Sequence, residues 1–222
     1  MKKRKDKILK VTIDSPAAAG AGTQARLISK HYNLLQLDTG RVYRFVAYIK
    51  ISEPLKYNYK YVKKKINKLK LKDLRNKKLL SDKVATVASK VARDKKIRKI
   101  VHSFQLDCAY NPPKKYAGSC LDGRDIGSVV VKDADVKLFI TANLKVRAMR
   151  RFKELKVKNK NISFKEVLKS IKNRDKSDKN RKISPLKKTK DMYLINSSSE
   201  SISTCFMKIK KIIDRKINNK WK

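Results

Sequence analysis

The sequence is poor in acid: 19 Asp and Glu stand against 60 Lys and Arg, a formal net charge of +41. It is also poor in cysteine, holding only Cys108, Cys120 and Cys205. Their number is odd, their spacing is wide and no C-x-x-C occurs. That argues against a disulfide framework and a zinc site, and suits a reducing cytosol. Each cysteine reads as a small buried apolar residue. Histidine is scarcer still. His31 and His102 stand alone, without metal-ligand spacing. No long apolar run follows the basic start Met1–Lys7, so neither a signal peptide nor a transmembrane span is expected. No internal repeat is visible.

Lysine is what the chain has in excess, as in Lys63-Lys64-Lys65, Lys68, Lys70 and Lys72. Such a balance favours anionic partners: nucleic acid, nucleotides or acidic membranes. The excess is spread along the whole chain, however. Drift towards Lys, Asn and Ile from an AT-rich coding sequence would produce the same pattern, which weakens the inference to nucleic acid. A length of 222 residues suits one α/β domain with insertions, or two small domains, and can bury a sizeable core.

The chain is organised around residues 11–23. A β-branched run, Val11-Thr12-Ile13, ends at Asp14. The small residues Ser15-Pro16-Ala17-Ala18-Ala19-Gly20-Ala21-Gly22-Thr23 follow, and Gln24–Lys30 reads as a helix. Strand, small-residue turn and helix is the layout of a phosphate-binding loop, where backbone N–H groups and a helix N-terminus face an anion. Thr23 stands where a hydroxyl would ligate Mg²⁺. The usual spacing G-x-x-x-x-G-K-[ST] is met imperfectly. Ser15 replaces the first glycine, Gly20 is kept, Ala21 holds the lysine position, and Gly22 is inserted before Thr23. An Ala/Gly turn packed on a sheet would satisfy the same residues.

Further along, Tyr32–Leu37 reads as a second strand, broken by Asp38-Thr39-Gly40, and Arg41–Ile49 as a helix. This alternation argues for parallel βα units. Glu53-Pro54 ends the helix. Lys50–Leu80 is lysine-dense, with Ile66, Leu69 and Leu71 enough for one amphipathic element; it reads as an insertion or small subdomain, with an RNA-binding arm as the alternative. Ser81-Asp82 opens a helix carrying Val84, Val87, Ala88 and Val91, and a second carries Ile97, Ile100, Val101, Phe104 and Cys108 until Asn111-Pro112-Pro113. Gly118–Leu121 is a short strand with a polar turn, Asp122–Gly127, at its C-terminal end, where open α/β sheets bind ligands. Val136–Ile140 is a strand, and Lys145–Leu155 a basic helix with Arg147, Arg150 and Arg151. Ser163 with Glu166 fits a capping box opening a helix with Phe164, Val167, Leu168 and Ile171 inward. Continued, that helix sets Arg174, Asp178 and Arg181 on one face, as an anion clamp or a surface ion-pair ladder. Ser184-Pro185 closes this arm. Met192–Ile195 is the last strand, Asn196–Glu200 a polar loop, and a final helix carries Ile202, Cys205, Phe206, Ile209, Ile212, Ile213 and Ile217.

Nearly the whole chain resembles the bacterial cytidylate kinases, a nucleoside monophosphate kinase family. The resemblance lies in Ile13–Thr23 with Leu37-Asp38-Thr39-Gly40 and Tyr43-Arg44; in Asp122–Val130 with Asp133-Ala134, Val136-Lys137 and Phe139; and in Arg174-Asp175, Asp178, Asn180-Arg181 and Pro185-Leu186. It implies an α/β fold of phosphate-loop nucleoside monophosphate kinase type. A parallel five-stranded sheet would be flanked by helices, with a nucleotide-binding insertion and a helical lid. The parts would be a core with the phosphate loop (1–49), the monophosphate-binding insertion (50–98), core again (99–150), the lid (151–185), and the last strand and C-terminal helix (186–222). It further implies γ-phosphoryl transfer from ATP to CMP or dCMP with Mg²⁺, by a cytoplasmic monomer with no specific nucleic-acid or membrane partner. Carried over position by position, Ser15, Pro16, Ala17, Ala18, Ala19, Gly20, Ala21, Gly22 and Thr23 match the ATP phosphate loop, and Thr23 the metal ligand. Thr39, Arg44, Ser89, Arg98, Arg124, Asp125, Arg174, Asp178 and Arg181 match CMP-binding positions. Arg124, Arg174 and Arg181 are the expected catalytic groups.

Two departures stand out. Ala21 replaces the loop lysine, a kind of loss that costs about 10²–10³ in rate. Ser177 replaces a lid arginine. Arg147, Arg150, Arg151 or a nearby lysine would have to compensate. The insertion is also shorter than in the long type of this family. Two other readings remain: a nucleotide-binding protein without turnover, from Ala21 and Ser177, and an RNA- or ribosome-binding protein on the same scaffold, from the charge.

Overall fold

The computed structural model describes residues 8–157 and 160–220. The basic start (1–7), Lys158-Asn159 within the expected lid, and the last two residues lie outside the described residues. Strands β1 (Leu9–Asp14), β2 (Leu34–Asp38), β3 (Gly118–Gly123), β4 (Val136–Thr141) and β5 (Tyr193–Asn196) form one sheet in the order β2-β3-β1-β4-β5. All neighbours are parallel, with Asp14 beside Gly123 and Asp38 beside Asp122. The register therefore brings Asp14, Asp38 and Asp122 to one edge of the sheet, at the C-terminal ends of its strands.

Parallel strands need both faces covered, because their crossovers lay helices on each. Helices α1 (Ala21–His31) and α8 (Ile202–Lys220) cover one face. There Ile28, Cys205, Ile209 and Ile213 pack on Val11, Ile13, Leu138 and Ile140. Ile209 and Ile213 are fully buried, each worth about 1.5–3 kcal/mol by transfer from water. Helices α2 (Thr39–Ser52), α4 (Asp82–Val91) and α5 (Lys95–Tyr110) cover the other, around Val42, Val46, Val84, Ile97 and Val101 on Leu35, Leu37 and Leu121. Between them, α3 (Tyr59–Asn67) anchors the short insertion through Val62 and Ile66. Helices α6 (Leu144–Lys156) and α7 (Phe164–Asn180) make an arm with its own small core, Ala148, Val167 and Ile171, closed by Ala17 of the loop after β1.

The caps follow the sequence. Ser81 accepts from the Val84 N–H at 3.3 Å, Asp94 from Lys96 and Ile97, and Ser163 with Glu166 forms the complete capping box. Other expectations need correction. Tyr32 and Asn33 are a turn, with Asn33 at φ 51°, and β2 starts at Leu34. Asp122 and Gly123 end strand β3, because both pair in register with β1. The turn that follows is a π-helical one over Ile126–Val130. The amphipathic element of the insertion is centred on Val62 and Ile66, ahead of Leu69 and Leu71. Met192 precedes β5 and does not belong to it. Helix α7 stops at Asn180. Arg181 is extended (φ −66°, ψ 137°), so it does not continue the helical face of Arg174 and Asp178.

Candidate active site

Residues 15–23 run from the end of β1 into α1. The Ser15 N–H donates to Gly123 O at 3.1 Å, tying the loop to β3. Pro16, Ala17 and Ala19 are buried; Ala18 and Gly20 are half-buried and turn the chain with positive φ, 58° and 90°. At φ 90° a side chain at position 20 would be strained, and glycine relieves that. Ala21 begins α1, with Gly22 and Thr23 half-buried on its first turn. No acidic residue stands within that turn, so the helix N-terminus carries no carboxylate of its own.

The loop is gripped from the arm. The Ala17 N–H donates to Asp175 Oδ1 at 3.2 Å, and Ala17 O accepts from Arg147 Nη1 at 3.0 Å. Arg147 and Asp175, both buried, pair at 2.6 Å. Arg150, one turn on, donates to Ser197 Oγ at 3.0 Å and to Ser197 O at 2.6 Å, while Ser197 Oγ donates to Ala19 O at 3.1 Å.

Beyond the loop, arginines and aspartates from several elements alternate. Asp125 is buried and pairs with both Arg98 and Arg181, the latter at 3.2 Å. Asp178 pairs with Arg124 at 2.9 Å and with Arg174 at 4.0 Å. Each carboxylate is thus shared by two guanidiniums, and each triplet carries one net positive charge. The charge of Arg124, with those of Arg44 and Arg151, drives Arg174 down to about 10, although its side chain is 44% exposed. Burial lowers Arg181, against the pull of Asp125. Such crowding of cations is relieved by an anion. Bidentate guanidiniums match phosphate oxygens well.

The remaining expected residues make contacts of their own. Thr39 opens α2, with its hydroxyl donated to Asp122 O at 2.8 Å. A Cβ at Gly123 would come within 2.4 Å of that Thr39 hydroxyl oxygen, so glycine is what permits the approach. Arg44 on α2 donates to Leu79 O at 2.9 Å. Ser89 on α4 donates to Ala85 O of its own helix at 3.3 Å. Ser177 accepts from Arg93 Nη2 at 2.7 Å, joining the arm to the α4–α5 turn.

Sequence reasoning missed the carboxylates at the sheet edge. Asp14 accepts from the Ile126 and Gly127 N–H groups at 2.6 and 3.0 Å, which orients the turn bearing Arg124 and Asp125. Burial pushes Asp14 up to about 7. Asp122 is raised as well, by burial and then by the charge of Asp38. Its Oδ1 is buried without a partner, and its Oδ2 would lie 3.7 Å from a Cβ at Gly22. The carboxylate whose Oδ2 lies towards the first turn carrying Thr23 offers a hard oxygen donor there. Among the described residues no three His, Cys, Asp or Glu gather as a metal site. That donor set fits Mg²⁺, which takes one or two protein oxygens and completes its shell with phosphates and water. The signal for Asp122 was its place as the last acid of an apolar strand. For Asp175 it was the helical spacing from Ile171, which puts a carboxylate on a buried face.

The sequence profile of the cytidylate kinase family matches residues 11–215. The cytidylate kinase of Clostridium botulinum (strain Langeland) is 39% identical over 218 residues, spanning 93% of this chain and 98% of that one. The cytidylate kinase of Mesorhizobium japonicum is 39% identical over 208 residues, spanning 93% and 94%. That of Bartonella henselae is 40% identical over 205 residues, spanning 92% and 94%. An uncharacterized protein of Eubacterium ventriosum, known from its crystal structure, shares the fold with a TM-score of 0.55 at 15% identity, over 93% of this chain and 98% of that one.

Proposed function

The chain belongs to the cytidylate kinase family and is a phosphotransferase acting on CMP or dCMP, and we propose a division of labour among its residues. The observation that carries the reading is the pair of Arg–Asp–Arg triplets, each one positive charge in excess, gathered by the turn after β3 and the end of α7. CMP docks with its phosphate against Arg44, Arg124 and Arg174. Its cytosine is read by Arg98, Asp125, Asp178 and Ser89, which supply both donors and acceptors to the base edge. Binding exchanges each internal Arg–Asp contact for one to the nucleotide. Segment 50–98 forms the acceptor part and 151–185 the lid.

ATP lays its phosphates along Ser15–Thr23, against the backbone N–H groups that begin α1. A CMP phosphate oxygen attacks the γ-phosphorus in line. The bond from γ-phosphorus to the β,γ-bridging oxygen breaks, ADP leaves and CDP forms. The protein does little covalent work in such a transfer; it aligns two anions and stabilises the charge between them. Arg124, Arg174 and Arg181 bring that charge from the acceptor side. Thr23 and Asp122 would hold Mg²⁺, which supplies neutralisation of the donor's phosphate charge. Closing segment 151–185 over the bound nucleotides excludes water, the competing acceptor.

The three cysteines are free and buried, which suits the reducing cytoplasm where both nucleotides occur, and no helix among the described residues is long and apolar enough to cross a membrane. A monomer is the working unit in this reading, with no nucleic-acid partner. The test is CDP formation from CMP, ATP and Mg²⁺, followed by chromatography with dCMP, UMP and AMP as competing acceptors. CMP and dCMP should be preferred over UMP and AMP by at least tenfold. No CDP from folded protein would overturn the reading.

A further inference from the structure

The usual phosphate loop places a lysine on the donor's β- and γ-phosphates. Here that position is Ala21, buried at the start of α1. The chain carries three arginines on α6, close to the loop, and the structure separates them. Arg147 is spent: its guanidinium is buried, neutralised by Asp175, and bonded to Ala17 O and Ala142 O. Arg151 pairs with Glu154 at 3.1 Å. Arg150 differs from both. No carboxylate of the described residues lies within ion-pair distance of it, so its charge is uncompensated.

Arg150 is also held in place. Two bonds to Ser197, at 3.0 and 2.6 Å, fix both of its terminal nitrogens, and Ser197 is itself bonded to Ala19 O of the loop. Ser197 is buried, and its N–H is anchored on Thr141 O at 2.8 Å. The guanidinium therefore moves with the loop. Its Nη1 lies 4.0 Å from where a Cβ on Gly20 would stand, at the turn that leads into the N–H groups of α1. A cation pinned beside an anion-binding turn by neutral oxygens alone keeps its full charge for a ligand.

We propose that Arg150 supplies to the donor's phosphates the positive charge that Ala21 cannot, with Ser197 as its positioning residue. This rests on the loop being the ATP site. Arg150 meets the phosphate chain from the lid side, whereas a lysine at position 21 would meet it from the helix. The charge therefore arrives from α6, and its delivery depends on the contact between α6 and the loop after β5.

The test is a two-by-two cycle of Arg150→Gln and Ala21→Lys, read by steady-state kinetics and by calorimetric binding of ATP and of adenosine. Arg150→Gln should lower kcat/KM for ATP about 10²–10³-fold and weaken ATP at least tenfold, with adenosine unchanged. Ala21→Lys in that background should restore most of both. A lost charge is repaired by a charge from the other side of the site; a lost packing contact is not. Arg150→Lys, which keeps the charge on a shorter reach, should lose less than tenfold, and it serves as the second variant should Arg150→Gln fail to fold. ATP binding within twofold of wild type in Arg150→Gln, or no restoration by Ala21→Lys, would overturn the assignment. Absence of CDP from the wild type would instead overturn the kinase reading, and the ATP-binding arm would still decide the role of Arg150.

Discussion

Arg147 and Asp175 meet at 2.6 Å beneath the loop after β1, and each also holds one side of Ala17. The arginine comes from α6 and the aspartate from α7, so both halves of the arm grip the same loop residue. Removing one partner of a buried pair leaves the other charge uncompensated, at about 3–5 kcal/mol. Asp175→Asn should lower stability by that amount in urea unfolding. It should also raise KM for ATP several-fold while KM for CMP stays within twofold. Equal increases in both would mean that the pair orders the whole cleft and not the donor loop.

The sharing of Asp125 between Arg98 and Arg181 predicts a specificity effect. Asp125→Asn keeps the shape, removes the charge that balances both guanidiniums, and turns one acceptor oxygen into a donor. With CMP, kcat/KM should fall about 10²–10³-fold, the scale of losing a buried charged contact. The CMP-to-UMP ratio should narrow, because a cytosine amine needs an acceptor and a uracil carbonyl a donor. An unchanged ratio would remove Asp125 from base recognition and leave it as a support for the arginines.

Ser163 and Glu166 close the N-terminus of α7 reciprocally, at 3.2 Å for Glu166 N–H to Ser163 Oγ and 3.0 Å for Ser163 N–H to Glu166 Oε2. The helix they start carries Arg174, Asp175 and Asp178. Ser163→Ala should cost about 1 kcal/mol. The loss should be local: hydrogen exchange should quicken in the first turns of α7, with the sheet unaffected. Protection unchanged there would show that α7 is held by the Ala148–Val167–Ile171 packing alone.

The strands, most helix starts and the small-residue turn between β1 and α1 were legible in the sequence because each rests on local chemistry: β-branched runs, a Ser–x–x–Glu cap, small residues before a helix. What was not legible depends on partners far along the chain. Nothing at Arg181 breaks a helix; no Gly or Pro occurs between Phe164 and Pro185. The chain leaves α7 there with Arg181 reaching Asp125 and Leu186 N–H bonding to Asp178 O at 2.8 Å. The expected Arg174–Asp178–Arg181 face therefore became two triplets, with Asp125 and Arg124 from the turn after β3 completing them. Asp122 shows the same limit. Its place at the end of a strand was readable, but an oxygen left without a partner is a property of the packed site.

Asp14 gives a pH prediction. Its carboxylate accepts two backbone N–H groups, yet burial dominates and pushes it from 3.8 to about 7. The folded protein therefore holds a proton on Asp14 over a range where the unfolded chain has released it. The group's contribution to stability is complete below about pH 4 and is lost as pH rises through about 7. A displacement of that size sets an upper limit of about 4 kcal/mol on the change in stability. Asp14→Asn cannot titrate. It also loses one acceptor oxygen, an offset of about 1–3 kcal/mol that does not vary with pH. Unfolding in urea from pH 4 to pH 8 should show a wild type whose stability falls relative to the variant, the gap between them closing towards high pH. Parallel profiles would mean that Asp14 is ionised throughout, its two N–H donors outweighing the cost of burial. In that case the turn bearing Arg124 and Asp125 is oriented by a full negative charge at every pH where the enzyme works.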